Sequence, residues 1–248
     1  MNRPIIITGS SRGIGAATAL LAGQRGYAVC VNYKTDHEAA QRVVNFIASA
    51  GGQAIAAQAD VSQEADVRRL FDACVDAFGT PIALVNNAGV LETQMRVESM
   101  GVDRMQRILA TNVMGPLLCC REAIRRMSKR HGGAGGAIVN LSSGAVRLGA
   151  PGEYVDYAAS KGAVDTMTIG LAKEVAEDGI RVNAVRAGYI YTEMHASGGE
   201  PGRVDRLKDG IPLRRGGQPG EVARAVLWLL SDEASYTTGS FLDVTGGR

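Results

Sequence analysis

The stretch EYVDYAASKGA, residues 153–163, places a phenol, Tyr157, four positions before an ammonium, Lys161. On a helix, residues four apart share a face, with Cβ atoms about 5–6 Å apart. A positive charge beside a phenol favours phenolate and pulls its pKa below the usual value of about 10, which brings acid–base chemistry toward neutral pH. Tyr154 lies on the same face, seven positions before Lys161, and on spacing alone it stays a second candidate. Chance placement would give such a pair in roughly one chain of this composition in seven, so the pair needs a framework before it means anything.

That framework is an alternation. Short apolar runs at 5–7, 28–31, 54–57, 82–85, 137–141 and 181–185 read as buried strands. Between them, segments 14–25, 37–50, 64–78, 103–130 and 157–177 carry apolar residues at helical spacing, and a last helix at 219–230 precedes a short strand at 241–244. Glycines fall where the helices should stop, at Gly26, Gly51, Gly79 and Gly179. Strand–helix alternation predicts an α/β fold of Rossmann type, a doubly wound, mostly parallel sheet with helices on both faces. We expect one dinucleotide-binding domain over residues 1–248. Ligands of such sheets bind beyond the carboxyl ends of the strands. Segment 192–212, with Gly198, Gly199, Gly202 and Gly210 among charged residues, is too irregular for a core element and is expected to form a substrate lid.

Composition narrows the function. Across 248 residues, 46% are hydrophobic and the net charge is +2, with basic residues scattered, so a nucleic-acid surface is not expected. Arg121, Arg125, Arg126, Lys129 and Arg130 gather on one helix, which reads as a solvated face. No apolar run reaches membrane-spanning length, and the first residues do not resemble a signal peptide. Cys30, Cys74, Cys119 and Cys120 form no C-x-x-C pair, and His37, His131 and His195 are far apart, so no metal site is expected and a reduced, cytoplasmic setting fits.

The first strand runs into TGSSRGIG, residues 8–15, where Gly9, Gly13 and Gly15 follow the spacing G-x-x-x-G-x-G. Glycines there let backbone N–H groups close on a pyrophosphate at the start of a helix. Together with DV at 60–61, NNAG at 86–89, Asn112 in ATNVMG, Ser143 in NLSSGA and YAASK at 157–161, the chain resembles the short-chain dehydrogenase/reductase family over essentially its whole length.

The resemblance implies an enzyme that moves hydride between a nicotinamide cofactor and a carbonyl or secondary alcohol, working as a homo-oligomer, a tetramer. It implies that Gly9, Ser11, Arg12, Gly13, Ile14 and Gly15 hold the cofactor's phosphates, that Asp60 and Val61 meet its adenine, and that Asn86, Asn87, Ala88 and Gly89 line its path. Ile190 and Thr192 would meet the carboxamide and phosphates. It also selects Tyr157 over Tyr154 as the acid, with Lys161 lowering its pKa and holding the nicotinamide ribose, Ser143 orienting the carbonyl, and Asn112 ordering a water. Strand alternation turns Ser142 away from the face that bears Ser143. Two departures stand out. Ser143 and Tyr157 are 14 apart, one more than in commoner members, and Ala187 stands where the family usually has proline, which is expected to loosen the loop bearing Ile190 and Thr192.

At the end of the second strand, where an enzyme selective for NAD carries a carboxylate, the sequence reads Asn32, Tyr33, Lys34. With Arg12 and Lys34 available to a 2′-phosphate, NADP(H) is the expected cofactor, with NAD(H) also possible. Three activities are compatible with the sequence: an NADPH-dependent carbonyl reductase like the 3-oxoacyl carrier-protein reductases, a sugar or polyol dehydrogenase like the glucose 1-dehydrogenases, and a non-catalytic dinucleotide sensor. The third is disfavoured because Ser143, Tyr157 and Lys161 are all present.

Overall fold

The computed structural model describes residues 3–248. Seven strands form one sheet: β1 (Arg3–Ile7), β2 (Tyr27–Tyr33), β3 (Gln53–Gln58), β4 (Ala83–Asn86), β5 (Gly136–Ser143), β6 (Ile180–Ala187) and β7 (Phe241–Val244). Their order is β3-β2-β1-β4-β5-β6-β7, and every pairing is parallel. The helices are α1 (Gly13–Gln24), α2 (His37–Ser49), α3 (Glu64–Phe78), α4 (Val102–Leu109), α5 (Gly115–Met127), α6 (Ala145–Leu148), α7 (Val155–Glu174), α8 (Met194–Ser197), α9 (Arg203–Leu207) and α10 (Pro219–Leu230).

The triple isoleucine of β1 shows why the sheet needs helices on both faces. Side chains alternate along a strand. Ile5 and Ile7 enter one core with Ala19 and Ala22 of α1 and Val226 of α10, whereas Ile6 enters the other with Leu70 and Phe71 of α3 and Cys120 of α5. Burying a branched side chain of this size contributes about 1.5–3 kcal/mol, so the two faces together hold the sheet closed to water. The chain winds from β1 outward to β3, then returns past β1 to β4. The sheet therefore has a topological switch between β1 and β4, and the loops after β1 and β4 part there into a crevice.

Three expectations need correction. The helix expected at 103–130 is α4 and α5 joined by a π-helical turn, Ala110–Met114. Pro116 explains part of this, because it has no N–H to offer the carbonyl four residues back, which belongs to Asn112. The helix expected from Tyr157 begins two residues earlier, at Val155, and stops at Glu174. Segment 192–212 is less irregular than its glycines suggest, since it holds α8, α9 and a 3-10 turn at Lys208–Gly210. Among the described residues no helix is long and apolar enough to cross a membrane.

Candidate active site

The glycine loop is shaped by three polar residues the sequence reading passed over or placed elsewhere. Thr8 Oγ1 accepts the N–H groups of Asn87 and Ala88, each at 3.0 Å. Asn87 Nδ2 donates to the carbonyls of Thr8 and Gly9 at 2.8 and 2.9 Å. Ser10 Oγ donates to the Ile7 carbonyl and accepts the N–H of Asn32. These bonds fix the loops after β1 and β4 side by side. The glycines fit that close approach. Gly9 and Gly13 sit at φ of +60° and +57°, and a Cβ on Gly15 would lie 2.4 Å from Asn87 Nδ2.

A cleft of about 350 Å³ lies over this loop. Gly9, Ser11, Arg12, Gly13, Ile14, Asn32, Tyr33, Lys34, Asp60, Val61, Asn87, Ala88, Gly89 and Thr192 all border it. Gly15 sits behind the loop and serves it by having no side chain. Asn86 does not join them. Its amide turns into the α5 side of the sheet, donating to Asn140 Oδ1 at 2.8 Å and reaching Cys120 Sγ at 3.2 Å, so the expectation that it lines the path is wrong. The cleft is open where a dinucleotide's phosphates would need room, and backbone N–H groups at the start of α1 surround it, so the residues present fit such a group.

The charges at the far end of this cleft are not arranged as expected. Lys34 Nζ is 2.7 Å from Asp60 Oδ2, so the two are a pair. Burial pushes Asp60 up, but hydrogen bonds from Lys34 and Ser62 outweigh it and hold the carboxyl below its ordinary range. Asn32 is spent on structure: its Oδ1 accepts the Gly9 N–H at 3.0 Å, and its Nδ2 donates to the carbonyls of Ala57 and Ala59. The Tyr33 hydroxyl is 2.8 Å from His37 Nδ1, a partner the sequence reading missed although a four-residue spacing signals it. Among the described residues Arg12 has no ion-pair partner. Glu193, also unforeseen, borders the same cleft, 3.8 Å from where a Gly13 Cβ would stand.

A second cavity of about 460 Å³ opens from the first, and Ile14, Asn87, Leu91, Thr192 and Met194 border both. Its floor is the end of β5 and the start of α7, with Ser143, Tyr157 and Lys161 together in its wall. Lys161 Nζ donates to the Leu141 carbonyl at 2.7 Å and stands 5.7 Å from the centre of the Tyr157 ring. Burial pulls Lys161 down to about 8, with Asp165 opposing. Burial pushes the Tyr157 phenol above its ordinary value, and only a hydrogen bond with Ser143 pulls it back. A phenol lowered by Lys161 was expected. Desolvation wins instead, because both groups are out of water and the ammonium is spent on a carbonyl.

Ser143 Oγ accepts the Ala145 N–H at 3.1 Å, while the Ser142 hydroxyl is buried without a partner. Asn112 borders neither cavity. Fully buried in the π-helical turn, it accepts the Val90 N–H at 2.8 Å and donates to the Val90 carbonyl and to Ser160 Oγ. The Val90 loop and α7 thereby meet at one amide. Ile190 borders the larger cavity but not the cleft. Its loop is not loosened by Ala187: β6 continues through Ala187, paired with Ser143, and Tyr189 and Tyr191 exchange hydrogen bonds with Gly217. Tyr154 also borders the cavity, but its hydroxyl is committed to the Gly198 carbonyl at 3.2 Å.

Two further residues the sequence did not announce hold the floor in place. Arg104 of α4 pairs with Asp156 through Nε at 2.7 Å and Nη2 at 3.2 Å, and it also donates to the Thr93 carbonyl. Both side chains are buried, at 6% and 8% exposure. Asp156 Oδ1 accepts the Tyr157 N–H at 2.9 Å. A carboxylate in the first turn of a helix is stabilised by the exposed N–H groups there. This one also joins α4 to the residue that carries the phenol.

The comparisons with known proteins agree with this geometry. A family model described as enoyl-(acyl carrier protein) reductase matches residues 9–248. A solved short-chain dehydrogenase/reductase mutant from Serratia marcescens superposes with a TM-score of 0.90 at 33% identity, covering 99% of this chain and 97% of that one. This chain belongs to the short-chain dehydrogenase/reductase family. It is an oxidoreductase of that family, whose members use nicotinamide cofactors. Among curated relatives, the oxidoreductase YgfF of Escherichia coli is 62% identical, with 98% of each chain covered. Glucose 1-dehydrogenase 2 of Bacillus subtilis is 39% identical over 98% of this chain and 93% of its own. A 3-oxoacyl-[acyl-carrier-protein] reductase of Staphylococcus epidermidis is 35% identical over 100% and 99%.

Proposed function

We propose that the protein is an NADP(H)-dependent carbonyl reductase in which Ser143, Tyr157 and Lys161 act on one carbonyl oxygen. The observation that carries this reading is the meeting of those three side chains in one wall of the larger cavity, at its junction with the glycine-loop cleft. The nicotinamide, when bound, supplies the hydride. Tyr157 gives its proton to the developing alkoxide, Ser143 hydrogen-bonds the same oxygen and orients it, and Lys161 holds positive charge beside both. Asn112 fixes the Val90 loop against α7. The upward push on Tyr157 favours reduction, because a phenol that keeps its proton at neutral pH is an acid ready to donate.

Glucose 1-dehydrogenase and 3-oxoacyl carrier-protein reductase relatives suggest two substrate classes, and the structure weighs against both. Most of the cavity surface is apolar, with Leu91, Leu148, Ala150, Pro151 and Met194 in its wall, which favours a substrate with an apolar portion over a sugar that carries a hydroxyl on nearly every carbon. The basic stretch that could receive an acidic carrier is mostly paired: Arg121 meets Glu64, Arg125 meets Glu122, Arg126 meets Asp72 and Glu122, and Arg130 meets Asp178, which leaves Lys129 without an ion-pair partner among the described residues. NADP(H) selection rests on Arg12 and on the absence of a carboxylate at Tyr33. Asp60, paired with Lys34, opposes it.

The same reading includes a lid over residues 192–212, tied down where Arg203 meets Glu153 and Glu200, and a homotetramer. Exposed Val102 and Leu109 on α4, Met114 at the end of the π-helical turn, Leu117 on α5, Ile169 on α7 and Trp228 on α10 support the assembly. The four cysteines are free and buried, which suits the cytoplasm. The test is a panel of carbonyls and alcohols with both cofactors at one ionic strength, followed at the nicotinamide absorbance band. Carbonyl-dependent oxidation of NADPH, well ahead of NADH, is expected. Equal kcat/KM for the two cofactors overturns the selectivity, and turnover of alcohols alone overturns the direction.

A further inference from the structure

Among the described residues, one cation at the larger cavity, Arg248, has neither a carboxylate nor a hydrogen-bond partner. Arg203, although buried, is compensated: with Arg206 it meets Glu153 and Glu200 in a cluster of two guanidiniums and two carboxylates. Burial works against the charge on Arg203, but those carboxylates outweigh it and hold the guanidinium ionised. His195 borders the cavity too. Burial pulls it down, and its Nε2 lies 3.1 Å from the Ile190 carbonyl, so it brings no charge at neutral pH. Arg248 differs from both. It is exposed at the rim of the cavity, its Cζ lies 5.1 Å from the centre of the Tyr189 ring, and among the described residues no carboxylate pairs with it.

Tyr189 is approached by both arginines. Arg203 also approaches that ring, with Cζ at 5.6 Å, and it stacks on Tyr154 at 4.9 Å. The aromatic wall therefore holds two guanidiniums near one another, of which one is neutralised and one is not. A guanidinium resting on a ring keeps its fork of N–H donors free in its own plane, which suits two-point binding of a carboxylate. Arg248 stands on the lid side of the cavity, beside Gly210, whereas Ser143, Tyr157 and Lys161 lie at the end of β5 and the start of α7. Most of the surface of this cavity is apolar.

We propose that the substrate is an oxo acid: a carbonyl compound whose ketone meets Tyr157 and Ser143, whose middle is apolar, and whose carboxylate is bound by Arg248. This rests on the reductase reading above and narrows its substrate class. An apolar middle explains the leucine, proline and methionine wall, a remote anion explains the unspent cation, and neither a sugar nor a simple neutral ketone accounts for both.

The experiment compares methyl-ketone acids, from levulinate upward in chain length, each with its own methyl ester, using NADPH. At the best chain length the acid should exceed its ester at least tenfold in kcat/KM, mostly through KM. In Arg248→Leu that ratio should fall to near one, and in Arg248→Lys part of it should return. A calorimetric titration of the NADPH-bound protein with the corresponding saturated carboxylate should show saturable binding that Arg248→Leu weakens by a similar factor. Acid and ester turning over equally well in the unmodified protein, or an acid preference that survives Arg248→Leu, overturns the oxo-acid assignment and leaves the reductase reading standing. If instead Tyr157→Phe turns over the same acids at the unmodified rate, the reductase reading itself fails.

Discussion

The two cavities that share Thr192 and Met194 are built on opposite plans. In the catalytic one, side chains of α7 are pinned to backbone: Lys161 to the Leu141 carbonyl and the Tyr157 N–H to Asp156, while the phenol faces Ser143. In the nucleotide cleft the backbone is pinned by side chains, through Thr8, Asn32 and Asn87, and of the two cations there Lys34 pairs with Asp60 while Arg12 stands unpaired among the described residues. The first plan fixes reactive atoms to within the tolerance that proton transfer demands. The second leaves a smooth channel of N–H groups, whose selectivity depends on a few surface charges at one end. Substitutions should therefore be severe and indivisible at the catalytic floor, and graded in the cleft.

The largest effect should come from Tyr157→Phe. Loss of the proton donor removes general acid catalysis, about 10²–10⁴-fold in kcat, with cofactor affinity nearly unchanged. Tyr154→Phe loses only the bond to the Gly198 carbonyl and should stay within about tenfold of the unmodified kcat/KM. Steady-state rates with cofactor titrations separate the two. A Tyr154→Phe variant more impaired than Tyr157→Phe would reverse their roles.

Next comes the support beneath the floor. Arg104→Met leaves Asp156 buried without its cation, and breaking such a pair costs about 3–5 kcal/mol. Denaturant unfolding should show that loss. Because Asp156 also holds the Tyr157 N–H, kcat of the folded variant should fall more than KM rises. Replacing both partners, Arg104→Met with Asp156→Leu, should recover much of the stability but not kcat. Recovery of both would make the pair purely structural.

The cleft should respond less. Arg12 is free among the described residues and Lys34 is shared with Asp60, so the two cations are unequal. Arg12→Ala should lower the NADPH-over-NADH ratio of kcat/KM about tenfold, or 1.4 kcal/mol. Lys34→Ala should lower it only a few-fold, because an exposed paired charge has little left to give. Tyr33→Asp should shift preference toward NADH at least tenfold, since a carboxylate there repels a 2′-phosphate. Lys34→Ala exceeding Arg12→Ala would show that the pair with Asp60 opens when cofactor binds.

The contrast also marks what a sequence can say. Strands announced themselves because six short apolar runs between helical segments can only be buried beneath helical layers, and the glycine loop because close backbone approach excludes side chains. Tyr157 and Lys161 were legible because helical spacing is local. Arg104 and Asp156 are 52 positions apart, and nothing in either neighbourhood names the other. The break in the helix at Asn112 was hidden by an unbroken apolar period, although Pro116 four residues on was a visible sign. The pairing of Lys34 with Asp60, from the ends of adjacent strands, depends on β2–β3 register, which composition does not encode. The direction of the Tyr157 shift was misread because spacing shows the neighbouring charge and not the loss of water.

That last point yields the smallest predicted effect and the most specific one. Lys161 titrates near 8, held down by burial and supported by Asp165. Tyr157 is pushed up and stays protonated through neutrality. In the free enzyme, kcat/KM for reduction should be flat below neutrality and fall to half near pH 8 as Lys161 loses its charge. The stability contribution of the same group runs the other way. Between about 8 and the ordinary lysine value of 10.5, the unfolded chain binds the extra proton, so this lysine adds stability as pH rises while activity declines. Asp165→Asn removes the charge that supports the ammonium, so the alkaline limb should move to lower pH. A limb that stays in place, or moves upward, would assign it to a group other than Lys161, and the floor would then resemble the cleft in having its charge set from outside.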